Sequence, residues 1–481
     1  MIGAGFGGLA LAIRLQSAGV ATTVIEARDQ PGGLAHHWRI DGFTFDAGPT
    51  VITDRPGLRE LRELTGHDIA EDVELMPVDP LYRLNWPDGT VFDFSSDLRA
   101  RGAEIARLDV ADLAGYEQLV RYSAAVHREG FAAKPFLDLR SMIEAGPALA
   151  RHQAWRSAYG LVAKFVGNEK LRQALSFHTL LAGGNPCTAS AALALDQPGG
   201  LWWARGGTSR LVAGMVRQFE RLGGTLRLGD PVVQVHTLGT RAGEVETKSG
   251  RRERFNAVAS NADVVHTYRD LLRAAPRGLQ MARKLVKKRF SPSAFVVHFG
   301  IEGSWPGIPH HTVLFGPRYE GLLKDVYDHG VLPRDLLIYL HHPTFTDPSM
   351  APEGKSTFRA FVPVAHLGKL AIDWGEVGPM FEKRVLAEVA RRLIPDLDDR
   401  IVTRFHYTPR DFALDLNAYL GSGYSLEPLP SQSAYFRCHS RDAIIGNFYL
   451  VGAGTHPGAG IAAVVAGAKT TAGLMLEDMS R

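Results

Sequence analysis

The sequence predicts an α/β protein in which the two ends of the chain build one discontinuous domain. The N-terminus supplies a glycine-rich turn, a helix and a β-branched strand, in the stretch MIGAGFGGLALAIRLQSAGVATTVIE. The C-terminus supplies a strand, a second glycine loop and a small-residue helix, in the stretch NFYLVGAGTHPGAGIAAVVAGAKTTAGLMLEDM. Short strands between these ends predict a mostly antiparallel sheet in the middle of the chain.

Length and charge narrow the class of protein. The 481 residues predict roughly two to three domains. Because 54 Lys and Arg residues nearly balance 51 Asp and Glu residues, we expect no nucleic-acid partner. The two cysteines, Cys187 and Cys438, form no CxxC pair, so neither a disulfide scaffold nor a metal site is expected. We also expect no signal peptide and no membrane-spanning helix.

The first glycine cluster fits the spacing G-x-G-x-x-G, with Gly3, Gly5 and Gly8. Such a turn lets the backbone approach a pyrophosphate, and the following helix N-terminus attracts its negative charge. Only Met1 and Ile2 precede the turn, where a full strand is expected. We therefore expect a truncated start, weak cofactor retention, and better retention when apolar residues are added upstream. The alternative is a chance cluster of glycines.

Two further features strengthen the nucleotide interpretation. Glu26 ends the second strand 18 residues after Gly8, close to the spacing of an acid that binds ribose hydroxyls. The alternative is a solvated acid at a strand end. Gly32 and Gly33 follow at once and can bring a second backbone loop to the pyrophosphate. The alternative there is a simple turn after Pro31.

Two other loops suit the neighbourhood of a flat ring system. The stretch GFTFDAGPTV contains Asp46, Gly48 and Pro49, and its alternative interpretation is a strand followed by a turn. The C-terminal loop runs from Gly452 to Gly460 and precedes a helix whose N-terminus stabilises negative charge, as on a reduced flavin. Its alternative interpretation is a second tight strand-to-helix turn.

The other segments follow in chain order. A helix is predicted in TDRPGLRELRELTG, and a hairpin with its turn at Pro87-Asp88-Gly89 in YRLNWPDGTVFDF. Residues from about 100 to 185 are mainly helical in pattern. A capped helix in GGTSRLVAGMVRQFERLGG leads into strands that include AFVVHFG, HTVLFG, DLLIYLHH and STFRAFVPV. A last helix before the C-terminal unit is predicted around 378–394.

Together these stretches resemble the FAD-dependent amine oxidase and desaturase superfamily, and more closely the bacterial-type phytoene desaturases. The matching segments span essentially the whole chain and include GAGFGGLALAIRLQ, GFTFDAGPTVITD, RGGTSRLVAGM, SNADVVHTYRDLL, HHTVLFGPRY and YLVGAGTHPGAGI. The resemblance implies a Rossmann-like FAD-binding domain of the second glutathione-reductase type, built from 1–80, 200–265 and 440–481. It also implies a helical, membrane-facing and substrate-facing subdomain over 81–199 and an antiparallel-sheet substrate domain over 266–439.

The resemblance implies that FAD lies along both glycine loops, with its adenine side near Val233. The expected contacts are Gly3, Gly5, Gly8, Glu26, Gly32, Gly33, Leu34, Gly48, Pro49, Thr50, Val233, Gly452, Ala453, Gly460, Ile461 and Ala462. Leu34 stands where the family commonly has an arginine, so weaker FAD retention is expected. Ser141 stands where the family tends to have an aspartate, so no base is assigned on that helix.

The implied reaction is stepwise dehydrogenation of phytoene and partly desaturated carotenes towards neurosporene or lycopene. A hydride passes to the flavin, a proton leaves the neighbouring carbon, and oxygen or a quinone reoxidises the cofactor. Asp46 and His456 are the titratable residues expected nearest the ring and are the candidate catalytic residues. A structural hydrogen-bonding role is the alternative for each.

A substrate of this kind lies in lipid, so we expect a cytoplasmic protein attached peripherally to the inner face of the cell membrane. The segment over 151–177, with apolar and basic residues mixed, is a candidate interfacial helix, and ARKLVKKRF over 282–290 adds a basic cluster. The alternative for either segment is a core-facing helix with a solvated basic face.

Other functions fit the same sequence less closely. An amine oxidase of the same fold requires a pocket for a charged amine, often with an aromatic cage. A related carotenoid desaturase or isomerase differs in substrate alone. A non-enzymatic lipid-escort protein of this fold binds prenyl groups without flavin. A nicotinamide dehydrogenase is disfavoured because Gly32, Gly33 and the C-terminal glycine loop suit FAD better.

Overall fold

The computed structural model describes residues 1–53, 55–68, 71–129, 136–191 and 200–480. Its helices are α1 (Phe6–Ser17), α2 (Arg55–Thr65), α3 (Leu98–Leu108), α4 (Leu113–Glu129), α5 (Leu139–Arg151), α6 (Ala158–Val162), α7 (Glu169–Ser176), α8 (Thr208–Arg221), α9 (Val264–His266), α10 (Pro276–Leu285), α11 (Tyr319–Lys324), α12 (Trp374–Arg392), α13 (Leu397–Arg400), α14 (Pro409–Leu416) and α15 (Ile461–Met479). Among these described helices, none combines the length and apolar character needed to cross a bilayer.

The strands are β1 (Thr23–Ile25), β2 (His37–Ile40), β3 (Phe43–Asp46), β4 (Leu75–Val78), β5 (Tyr82–Asn85), β6 (Val91–Phe94), β7 (Leu201–Ala204), β8 (Thr225–Arg227), β9 (Val232–Leu238), β10 (Arg241–Thr247), β11 (Arg252–Arg254), β12 (Val258–Ser260), β13 (Ser293–Glu302), β14 (His311–Leu314), β15 (Ile338–His341), β16 (Lys355–Val364), β17 (Ile401–Tyr407) and β18 (Phe448–Leu450). The mixed helix and strand content confirms the predicted α/β class.

A parallel array joins the two ends of the chain. Its order is β8, β1, the Ile2 position, β12 and β18, with parallel pairing throughout. Ile2 lies at the centre of this array and forms one β-bridge with each neighbouring strand. Its N–H donates to the Ala259 carbonyl at 2.8 Å, and the Gly3 N–H donates to the Ile25 carbonyl at 2.8 Å. Helices α1 and α15 pack together in one apolar core with α8. The ends of the chain therefore share one layered unit.

A seven-stranded sheet forms the second large unit, in the order β17, β13, β16, β15, β14, β5 and β6. Its neighbouring strands are antiparallel except for the parallel pair β14 and β5. Helix α12 covers one face, where Phe381, Val385 and Leu386 pack against buried residues of the central strands. The predicted hairpin around Pro87 supplies β5 and β6, so the sheet includes residues that the sequence analysis assigned to the helical unit.

The region from α3 to α7 is helical, in agreement with its sequence pattern. The candidate interfacial segment over 151–177 is not one continuous helix: α5 ends at Arg151, and the rest contains the short helices α6 and α7. Leu161, Val162 and Val166 are buried, and Val162 and Val166 pack in one core with residues of the large sheet. The basic cluster over 282–290 likewise lies on a core-facing element, since Leu285 and Phe290 are buried. The predicted boundary at 199/200 adjoins 192–199, which lies outside the described residues.

Candidate active site

The first glycine turn has a backbone that only glycine suits. Gly3 adopts φ +88°, and a Cβ placed on Gly8 would lie 2.2 Å from the Gly3 carbonyl oxygen. Gly5 is the N-cap residue of α1, so no side chain accepts hydrogen bonds from the first amides of this helix, and the first turn contains no acidic residue. The amides of that turn are therefore available to an anionic ligand.

Glu26 and the second glycine loop lie against this turn. The Glu26 carboxylate accepts hydrogen bonds from the Ala4 N–H at 2.7 Å and from the Arg28 N–H at 3.0 Å. The Gly32 N–H donates to the Ala4 carbonyl at 2.9 Å. Gly32 and Gly33 both have positive φ, +120° and +56°. The structure thus brings Glu26 and both N-terminal glycine loops together at the carboxyl ends of parallel strands.

The C-terminal loop reaches the same place. Gly452 and Gly460 have φ of +110° and +107°, and Gly460 is the N-cap of α15, again with no side-chain cap. Ile461 begins that helix and is buried, whereas Ala462 is half-buried. Since all of these positions surround one helix start, a second partial positive charge faces the region between the loops.

Sequence reasoning missed Asn261, which links the glycine loops. A Cβ on Gly5 or Gly7 would lie 2.7 Å from the Asn261 amide, and one on Gly452 would lie 2.6 Å from it. The Asn261 N–H also donates to the Ile2 carbonyl at 2.8 Å. Its position directly after a parallel strand was the available signal, because ligand-binding residues gather at that edge of the sheet.

Asp46 serves as a helix cap. Its carboxylate accepts from the Thr208 N–H at 2.7 Å, at the start of α8, and burial raises its pKa to about 6. The Arg359 guanidinium donates to the carbonyl oxygens of Asp46 and Gly48, and the Thr208 hydroxyl donates to the Pro49 carbonyl at 2.8 Å. These contacts fix the loop that the sequence analysis expected beside a ring system.

His456 belongs to the C-terminal loop, where its ring lies 5.3 Å from that of Phe136. Arg437 is buried beside it and donates to the Ala453 carbonyl at 2.6 Å. Burial lowers the pKa of Arg437 to about 10. Sequence reasoning missed this cation, because nothing in its local sequence marks it as buried.

Leu34 and Val233 lie at the edges of the site. A Cβ on Gly48 would lie 1.9 Å from the Leu34 carbonyl oxygen, so the two loops touch through their backbones. The Leu34 side chain is 38% exposed. Val233 lies on β9, and its carbonyl accepts from Arg273 at 3.0 Å. Its neighbour Val232 packs with Ile2 in one apolar cluster.

An apolar cavity opens beside the Asp46–Thr50 loop. Its described lining includes no carboxylate and no cationic side chain. Tyr339 lines it, and the Tyr339 hydroxyl lies 3.0 Å from the Thr50 hydroxyl. The lining residues are Phe177, Leu180, Leu181, Gly183, Pro292, Ser293, Val313, Tyr327, Leu337, Tyr339, Phe361, Pro363 and Tyr424.

Known proteins share this architecture. The family model for flavin-containing amine oxidoreductases matches residues 6–476. A lycopene-forming phytoene desaturase of Paracoccus sp. (strain N81106 / MBIC 01143) is 51% identical over 100% of this chain and 97% of its own length. A neurosporene-forming phytoene desaturase of Cereibacter sphaeroides is 38% identical over 98% of this chain and 93% of its own. The solved structure of cyclohexylamine oxidase from Brevibacterium oxydans has TM-score 0.64 and 16% identity, covering 100% of this chain and 98% of that one, which shows the fold alone.

The fold and the converging glycine loops define an FAD-dependent oxidoreductase. The chain belongs to the flavin-containing amine oxidoreductase family. The residues present fit the cofactor, because α1 and α15 begin at Gly5 and Gly460 with no side chain capping their first amides, which leaves those amides available to an anionic group. Glu26 offers a buried carboxylate of the kind that binds ribose hydroxyls.

Proposed function

We propose that this protein desaturates phytoene, with Gly3, Gly8, Glu26 and Gly452 among the residues that hold FAD. The observation that carries the proposal is the cavity, which is apolar and is joined to the Asp46–Thr50 loop through Tyr339. A long hydrocarbon substrate requires such a lining, because burying an unpaired polar or charged group against it is costly. A charged amine would find no described carboxylate in the cavity wall.

The chain's own part in the reaction is to bind and orient the substrate and to exclude water from it. FAD, when bound, supplies the acceptor for the hydride. The aromatic and aliphatic walls of the cavity hold the polyene through apolar contact alone, so it can slide between successive rounds. The relatives form lycopene or neurosporene, and the 51% identity to a lycopene-forming enzyme favours lycopene as the final product.

Expression in a phytoene-making host tests the proposal. Pigment extracts of cells with the wild-type chain are expected to contain lycopene, with or without neurosporene, and less phytoene than cells with an empty vector. A chain with Gly8→Ala is the matched inactive control. Colourless cells that accumulate phytoene despite folded, FAD-containing protein would overturn the proposal.

We further propose that α5 and its neighbours form the membrane-facing surface. Leu139 and Ile143 on α5 are 54% and 66% exposed, Trp155 is 63% exposed, and Arg140 lies beside them in an ion pair with Glu144. Helix α5 contacts the turn that contains Phe436, which is also exposed. Apolar side chains flanked by basic ones are typical of segments that lie in an anionic interface. The surface adjoins the site through Phe136, whose ring contacts that of His456.

Oxygen or a quinone is the proposed terminal electron acceptor. A quinone shares the lipid phase with the substrate, so the exposed apolar surface would serve both molecules. Anaerobic turnover in liposomes separates the two acceptors. Lycopene formation that resumes on addition of a quinone supports the quinone, whereas formation that requires air supports oxygen.

A further inference from the structure

A row of polar side chains crosses the large sheet beside the apolar cavity. His311, His341 and Arg359 are register partners on β14, β15 and β16. The cavity lining includes a second row of register partners on the same three strands, each two residues away from a member of the polar row. These residues are Val313, Tyr339 and Phe361. Because side chains two residues apart share a face of a sheet, the polar row and the cavity lining lie side by side on one face.

Hydrogen bonds connect the cavity wall with this row. The Tyr339 hydroxyl lies 3.0 Å from the Thr50 hydroxyl and 2.8 Å from His311 Nδ1. His341 Nε2 lies 3.1 Å from His310 Nε2, and His310 Nδ1 lies 2.7 Å from the Thr346 hydroxyl. The polar groups thus form an entry segment at the cavity and an exit segment that ends at Thr346.

One short gap separates the two segments. The ring nitrogens of His310, His311 and His341 that face one another all lie within 4.8 Å. His311 Nε2 is buried and has no hydrogen-bond partner among the described residues. A gap of this width between polar atoms accommodates one water molecule, which needs several polar partners to be stable in a protein interior. Thr346 is half-buried, so the exit segment ends at a residue that is partly exposed to solvent.

The three imidazoles are suited to passing a proton rather than holding one. Burial lowers the pKa of His310, His311 and His341 well below the usual value, and the nearby Arg359 lowers those of His311 and His341 further. Each ring is therefore neutral, with one nitrogen that donates and one that accepts. Such a ring takes a proton at one nitrogen and releases one from the other.

We propose that Tyr339, His311, His341 and His310 form a relay that carries the proton lost by the substrate from the cavity to Thr346 and the solvent. The inference rests on the proposed desaturation. In each round one C–H bond breaks and its electron pair leaves as a hydride, for which oxidised FAD, when bound, would be the acceptor. The neighbouring C–H bond breaks, and its electron pair forms the new C=C bond.

The proton from that second C–H bond has to leave an apolar cavity. It is taken by the Tyr339 oxygen as the Tyr339 proton moves to His311 Nδ1. His311 then releases its Nε2 proton across the gap to His341, which passes one through His310 to the Thr346 end. A weak acceptor is sufficient, because departure of the hydride makes the neighbouring C–H strongly acidic.

A metal ion is the competing occupant of the histidine cluster, and the surrounding charge disfavours it. Three histidines within this distance are a familiar ligand set for zinc and related metals. The cluster contains no carboxylate among the described residues, and the Arg359 guanidinium lies beside it on the sheet. A divalent cation there would lie next to the buried positive charge of Arg359, which is costly.

Two variants and a matched control test the relay in FAD-loaded protein on phytoene-containing liposomes. Tyr339→Phe removes only the entry hydroxyl, and His310→Gln interrupts the exit segment. Tyr319→Phe is the control, since Tyr319 is a buried tyrosine that lies outside the cavity lining and the hydrogen-bonded chain. Single-turnover flavin bleaching is measured in H₂O and D₂O, together with FAD content, melting temperature and cobalt binding.

The relay predicts that Tyr339→Phe and His310→Gln each slow the reaction by about 10²-fold with FAD content unchanged. It also predicts that the wild type and Tyr319→Phe react more slowly in D₂O, and that Tyr339→Phe loses this solvent effect. Wild-type rates and solvent effects in a folded, FAD-loaded Tyr339→Phe variant would overturn the relay while leaving desaturation intact. Tight cobalt binding with a tetrahedral absorption band that His310→Gln abolishes would overturn it in favour of a metal site. A wild-type chain that leaves phytoene unchanged would overturn the proposed function, and the relay with it.

Discussion

Gly8 is a residue at which one methyl group is expected to abolish cofactor binding. Its Cβ would lie 2.2 Å from the Gly3 carbonyl oxygen, a backbone atom that cannot move aside without opening the turn. Gly8→Ala is therefore expected to yield protein with little bound FAD, measured as flavin absorbance per chain. Gly473→Ala on α15 is the matched control, because a Cβ there meets nothing within 4 Å. Equal flavin content in both variants would show that the turn tolerates the displacement.

Leu34 is the residue at which FAD affinity is expected to rise. Its side chain is 38% exposed and its backbone touches Gly48, so a longer side chain has room beside the expected ring and phosphates. Leu34→Arg adds a cationic donor, and a charge-assisted hydrogen bond contributes about 1.5–3 kcal/mol. Fluorescence titration with FAD measures the gain, and Leu34→Met controls for length without charge. If Arg and Met variants bind FAD equally, no such bond forms.

Asp46 gives the protein a pH-dependent stability. Because burial raises its pKa to about 6, the folded state holds its proton over a range in which the unfolded state has lost it. The stabilising contribution is present below about pH 4 and is lost as pH rises through about 6. Relative to Asp46→Asn, the free energy of unfolding of the wild type should therefore fall by up to about 3 kcal/mol across that range. Denaturant unfolding at several pH values measures it, and parallel curves for the two proteins would contradict it.

At the level of elements, local patterns were predictable and distant pairings were not. The glycine turn, α1 and β1 follow each other within one short stretch, so their residues alone indicate the nucleotide unit. The row of His311, His341 and Arg359 depends on the register of three strands separated by loops, which periodicity does not determine. An interfacial segment over 151–177 could not be distinguished from a core-facing one for a related reason: an apolar face looks the same in sequence whether a core or a bilayer covers it.

Helix α5 carries the prediction for membrane attachment. Ile143 is 66% exposed on this helix, so Ile143→Glu removes apolar contact and adds a charge that anionic lipid repels. Flotation with anionic liposomes is expected to recover much less Ile143→Glu than wild type. Leu414→Glu on α14 is the matched control, because Leu414 is 65% exposed and the substitution makes the same change in charge. Equal recovery of both variants would place the interface elsewhere.

The whole molecule is organised around the meeting of its two ends. Ile2 is held between β1 and β12, Asn261 lies between the turn at Gly5 and the loop at Gly452, and α1 packs on α15. The large sheet contributes from the other side, since Arg359 donates to the carbonyl of Gly48 and Tyr339 contacts Thr50. Both units therefore contribute to the region that we propose for the cofactor, and the cavity adjoins the Asp46–Thr50 loop of that region through Tyr339.

This arrangement predicts that FAD stabilises both ends of the chain at once. A ligand at one hundred times its dissociation constant stabilises the folded state by about 2.7 kcal/mol. Apart from Val233, the contacts expected here belong to the first fifty residues and to the loop and first turn of α15. Hydrogen exchange should therefore slow together in α1 and in α15 when FAD is added. Adenosine monophosphate lacks the ring and should protect the N-terminal turn alone. Protection by FAD confined to one end would mean that the two glycine loops do not share the cofactor.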